Sequence, residues 1–84
     1  MENKVLVKLF VPYIESHYEV FLPVGKRIGD LVILLSKSLV EISNGYYDIT
    51  NNERLYNRIS GNAYDESQIL KNTDIRNGTE LIIM

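Results

Sequence analysis

Apolar residues in this chain recur with two different periods. From Ile28 to Ile42 (IGDLVILLSKSLVEI), Ile28, Leu31, Val32, Leu35, Leu39 and Ile42 fall three and four apart. A helix advances about 100° per residue, so these side chains share one stripe and predict an amphipathic helix. Ile33 and Val40 fall roughly opposite that stripe, with Lys37 between them, which predicts partial exposure. Asn44-Gly45 supplies a left-handed stop. The start is less favourable: Gly25 is a mediocre N-cap, and Lys26 and Arg27 stand at the positive end of the helix dipole.

The remaining apolar segments alternate with period two. Val5 to Val11 (VLVKLFV) predicts a strand with Val5, Val7, Leu9 and Val11 on one face and Lys4, Leu6, Lys8 and Phe10 on the other. The lysines mark the second set as the outer face. Pro12 to His17 suits a turn. His17 to Leu22 predicts a second strand, with Tyr18, Val20 and Leu22 inward and His17, Glu19 and Phe21 outward. After the helix, Tyr46 to Thr50 predicts a short strand with Tyr47 and Ile49 inward. Asn51-Asn52-Glu53 predicts a turn, and Arg54 to Ile59 predicts a charged edge strand. Ser60 to Glu66 is a polar loop, and Ser67 to Asp74 predicts a short 3₁₀ turn that plugs Leu70 into the core. Asn77-Gly78 is the strongest turn signal in the chain. Thr79 to Met84 predicts a central last strand. The expected architecture is one helix across one sheet.

Composition narrows the function classes. At 84 residues the chain is read as a single domain, residues 1–84, near the lower size for folding alone. It has no cysteine, which removes disulfides, thiolate metal sites and thiol nucleophiles. Its net charge is -2 and its basic residues are scattered, so no nucleic-acid partner is expected. The longest unbroken apolar run, Leu31 to Leu35, is far short of the ~20 residues of a membrane span, so no membrane insertion is expected. The N-terminus, MENKVLVKLF, carries no signal-peptide pattern, and the expected location is the cytoplasm.

The order strand, strand, helix, strand, strand, short turn, strand resembles the β-grasp, or ubiquitin-like, fold. Residues 69–84 (ILKNTDIRNGTELIIM) resemble the closing segment of such domains: a Leu plug, Asp74-Ile75, a polar turn, then Leu81 and Ile83 inward. VLVK (5–8) and EVFLPVGKRIGDL (19–31) resemble the first strand and the strand-to-helix passage. The expected fold class is α+β, a mixed four- to five-stranded sheet with one helix packed across it. Within that superfamily the chain resembles small bacterial proteins of the EsaB/YukD family. These accompany the WXG100 (type VII) secretion systems of Gram-positive bacteria. The resemblance implies a cytosolic accessory role in secretion. Conjugating relatives and sulfur carriers act through a flexible Gly-Gly tail. This sequence ends at Ile82-Ile83-Met84, so a non-conjugating module is expected. The second reading is a modifier or sulfur carrier whose C-terminus is extended or processed.

No catalytic constellation stands out. His17 is the only histidine. Its local carboxylates are Glu15 and Glu19, with no nucleophile evidently beside them, and a solvated hairpin histidine is the simpler reading. Asp48, Glu53, Asp65, Glu66 and Asp74 do not form a calcium loop and are read as surface charges and turn residues. Gly25 and Gly29 are too sparse for a phosphate loop. Tyr18 and Tyr47 are read as core, and Tyr13, Tyr46, Tyr56 and Tyr64 as surface or loop. No enzyme activity, metal or cofactor is expected.

The outer sheet face is the candidate site. Leu6, Phe10, Phe21, Ile82 and Met84 all point away from the helix in the predicted phase. A one-sided sheet normally carries polar residues there. An apolar patch of a few hundred Å² is the size that marks contact surfaces. The competing reading is coverage of these groups by the stems of Lys4, Lys8, Glu19 and Glu80. The expected partner is a protein, either a secretion-system component or a second copy in a homodimer.

Overall fold

Alternation in the first segment builds the strand that everything else meets. The computed structural model describes residues 3–84. Met1 and Glu2, part of the segment read for a signal peptide, lie outside the described residues. Strand β1 (Lys4–Val11) pairs antiparallel with β2 (Ser16–Pro23) in unbroken register from Lys4 opposite Pro23 to Val11 opposite Ser16. A 3₁₀ turn, Pro12–Ile14, joins them. It closes at Glu15, whose N–H donates to the Pro12 carbonyl at 3.0 Å. Val5, Val7, Leu9 and Val11 are buried while Lys4 and Lys8 are exposed, which is the expected phase.

Helix α1 (Ile28–Ile42) occupies the range that the three-and-four spacing predicts. Ile28, Leu31, Val32, Leu35 and Leu39 are buried, but Ile42, expected on the same stripe, is 52% exposed. Burial ends one turn before the helix does. Ser36 completes the buried stripe and donates its hydroxyl to the Val32 carbonyl at 2.8 Å. The helix ends in a Schellman closure: Asn44 N–H donates to Glu41 and Gly45 N–H to Val40, with both residues left-handed.

The weak start has a structural explanation. The N-cap is Arg27, not Gly25, and its side chain makes no cap bond. Two free N–H groups of the first turn, those of Ile28 and Gly29, instead donate to the carbonyls of Gln68 and Glu66 at 2.9 and 3.0 Å. Gly29 permits this approach, since a Cβ there would lie 3.2 Å from the Glu66 carbonyl oxygen. Asp30 in the first turn offsets Lys26 and Arg27.

Strand β3 (Leu55–Asn57), a 3₁₀ turn (Leu70–Asn72) and strand β4 (Glu80–Ile83) complete the chain. The sheet is four-stranded and mixed, in the order β2-β1-β4-β3, with β1 and β4 parallel. Helix and sheet residues form one core, closed by the fully buried Leu70 and by Ile75. The strand expected at Tyr46 to Thr50 is absent. Tyr47 points inward as expected, but its N–H donates to Ser43 Oγ at 2.8 Å and Thr50 N–H donates to Glu53 Oε2 at 2.7 Å. Side chains take the bonds that a neighbouring strand would need.

Candidate functional site: the outer face of the sheet

The register sets the outer face in cross-strand rows. At one end Leu6 lies opposite Phe21. Next comes a charged row, with Lys8 opposite both Glu19 and Glu80. Then His17, Phe10, Ile82 and Tyr56 line up across all four strands. Met84 lies beyond, exchanging backbone hydrogen bonds with Arg54 at 2.9 and 3.2 Å.

All five expected contact residues therefore lie on this face, but they do not merge into one patch. Phe21 and Met84 are exposed, at 66% and 57%, and stand at opposite ends of it. Leu6, Phe10 and Ile82 are half-buried. Leu6 and Phe21 edge a groove of about 290 Å³, together with Lys8, Glu19, Asn77 and Gly78. The Leu6 N–H donates to Asn77 Oδ1 at 2.8 Å, which fixes one wall of it. In the second band the Phe10 ring is occupied. His17 stacks on it with centroids 4.5 Å apart, and the Arg58 Cζ lies 4.6 Å from the ring centroid. The coverage anticipated from lysine and glutamate stems is supplied here by a histidine and an arginine.

Arg58, Tyr56 and His17 are the outer-face residues that the patch reading left out. The signal for two of them was the alternation Arg54, Tyr56, Arg58 in the third strand. His17 is a solvent-exposed hairpin residue, as expected, and its stacking on Phe10 follows from their register.

Glu53 is a correction. Read as a surface charge, it is buried, at 7% exposure. Its Oε2 accepts from the Tyr47 hydroxyl at 3.1 Å and from Thr50 N–H. Burial opposes the charge, but hydrogen bonds from the Thr50 and Glu53 backbones and from Tyr47 hold the carboxyl below its usual range. Burial, reinforced by the Glu53 carboxylate, pushes the Tyr47 hydroxyl up to about 12. Tyr64, expected at the surface, is half-buried. It donates to Asp74 Oδ1 at 2.7 Å and accepts from Asn57 Nδ2 at 3.0 Å. Burial also raises it to about 12, with Asp74 adding to the effect. These groups tie loops together, and none of them lines the groove beside Leu6 and Phe21.

A four-stranded mixed sheet, a single crossing helix and a Leu-plugged 3₁₀ turn before the last strand define the ubiquitin-like β-grasp fold. No family model matches the chain, and no curated protein does. Solved structures match it at low identity. The ubiquitin-like domain of EccD5 from Mycobacterium xenopi is 12% identical with a TM-score of 0.81, over 99% of this chain and 94% of that one. The N-terminal ubiquitin-like domain of the 4931431F19Rik protein is 17% identical, TM-score 0.74, over all of this chain and 76% of that one. A chain of the MycP5-free ESX-5 inner membrane complex is 18% identical, TM-score 0.73, over 99% of this chain and 21% of that one. Identities this low establish a shared fold. Among the described residues, no helix is long and apolar enough to cross a membrane.

Proposed function

We propose that this chain is a non-catalytic ubiquitin-like interaction module, a cytoplasmic accessory protein of the EsaB/YukD kind in a type VII (WXG100) secretion system. The observation that carries this reading is the likeness to the EccD5 ubiquitin-like domain, with its TM-score of 0.81. The ESX-5 inner membrane complex supplies a second neighbour from the same type of machinery. The partner is a protein docked on the outer sheet face, over Leu6 and Phe21 at one end and over Phe10, Ile82 and Met84 at the other. The Glu19, Lys8 and Glu80 row between these bands orients it. An apolar contact flanked by charge suits specific protein recognition.

The test is deletion of the gene in its host, with secreted WXG100 proteins measured in the medium. Their loss, restored by the intact gene, is expected, and undiminished secretion contradicts the reading. The competing modifier or sulfur-carrier reading requires a glycine tail after Met84. A stop codon directly after Met84 in the encoding frame excludes a trimmed tail. A frame running on to Gly-Gly favours the carrier.

A further inference from the structure

We propose that two copies of this chain pair through the free edge of β2, antiparallel and about a two-fold axis at Tyr18, so that their sheets join into one. The inference stands on the backbone and does not depend on the secretion reading.

Hydrogen-bond direction along β2 follows from three bonds. Val24 N–H donates to the Asn3 carbonyl, so in this register every even-numbered residue of β2 bonds toward β1. On β1 itself, Leu6 accepts from Gly78 N–H and Lys8 donates to the Thr79 carbonyl, so even-numbered β1 residues face β4. The N–H and C=O groups of His17, Glu19 and Phe21 therefore point out of the sheet. No other segment among the described residues hydrogen-bonds them. Pro23, which has no N–H, occupies the next outward position without loss.

The two edges of the sheet are treated differently. The β3 edge is covered by its own chain: Tyr64 N–H donates to Leu55 and Asn57 N–H to Asn62, with Ala63 bridging Tyr56. Along β2, eight residues run without a bulge, and the sole outward-pointing proline is at the far end. Long, flat, unblocked edges are templates for pairing.

The β2 sequence is self-complementary in one register. Hydrogen-bonded pairs across a two-fold axis must join outward-pointing residues, so odd-numbered residues face odd-numbered ones. A two-fold at Glu19 sets Glu19 against its own copy, a like-charge pair. A two-fold at Val20 sets Glu19 against Phe21, an acid against an apolar ring, and Pro23 against His17, so no charged side chain meets a polar partner. A two-fold at Tyr18 sets His17 against Glu19 of the second copy, twice, and fills the outward groups of both residues. It also brings the half-buried Tyr18 side chains face to face on the inner side.

Sedimentation of the intact chain across a concentration series reads the first part. The mass is expected to rise toward that of a dimer. Glu19→Pro removes an outward N–H without touching the β1 ladder, and is expected to stay monomeric with an unchanged circular dichroism spectrum. The chain has no cysteine, so single-cysteine variants report the register. Under mild oxidation Tyr18→Cys is expected to cross-link about tenfold faster than Glu19→Cys or Val20→Cys, because only its two thiols lie within disulfide reach. A wild-type chain that is monomeric throughout overturns the proposal and leaves the edge to a strand of another protein. Equal dimerisation by Glu19→Pro, or faster cross-linking at position 19 or 20, overturns it as well.

Discussion

Glu53 shows how far a single carboxylate can be from its sequence reading. In the run Asn51-Asn52-Glu53 it looks like turn polarity, yet it closes the loop after α1 by binding Tyr47 and Thr50. Removing it leaves a buried hydroxyl and a part-buried N–H without partners. Glu53→Ala is expected to cost about 1–3 kcal/mol in urea unfolding. The pH dependence has a definite sign. A carboxyl whose folded value lies below its unfolded one stabilises above the unfolded value, and that stability is lost as pH falls through the folded value. Wild type should therefore lose stability on acidification more steeply than Glu53→Gln. Tyr47 and Tyr64 act at the other end of the scale. Their folded values of about 12 exceed the ordinary 10, so their contribution is complete below pH 10 and is lost as pH rises toward 12. Urea midpoints at pH 9 and pH 11 should show the fall, and Tyr47→Phe should reduce it. Tyr47 was legible as a core residue from its alternation, but the burial of Glu53 and Tyr64 was not, because it depends on which loops close over them.

At the level of elements, the helix and the first hairpin were legible because their periods coincide with what the core buries. Ile28 to Ile42 reads as a helix from spacing alone. The β1 lysines identify the outward phase without any partner in view. Two element readings failed for physical reasons. Tyr46 to Thr50 alternates like a strand, but its backbone bonds go to Ser43 and Glu53 side chains. Ile42 keeps the helical spacing, but core burial stops at Leu39. The helix start was also obscure, since its cap comes from carbonyls nearly forty positions away. These differences give a paired prediction. Leu39→Ala should cost about 2–5 kcal/mol, as should Leu70→Ala at the plug. Ile42→Ala, at the exposed end of the same stripe, should change stability by less than about 1 kcal/mol. Thermal or urea denaturation of the three variants checks it.

For the whole molecule, the decisive feature is a sheet with one face sealed by a helix and the other left partly apolar. Alternation placed Leu6, Phe10, Phe21, Ile82 and Met84 on that open face. It did not show that the Lys8 row divides them, or that His17 and Arg58 occupy the Phe10 ring, because both depend on strand order and register. Phe21 is left as the apolar side chain most exposed within the two bands, beside a half-buried Leu6 and a groove. Its exposure means that a polar replacement removes contact area without opening the core. Phe21→Asp should therefore unfold within about 0.5 kcal/mol of wild type. The most direct test supplies this variant to a host lacking the gene and measures secreted WXG100 protein. Secretion should stay at the level of the deletion although the variant is folded and present at wild-type abundance. Full restoration of secretion by Phe21→Asp would contradict the account.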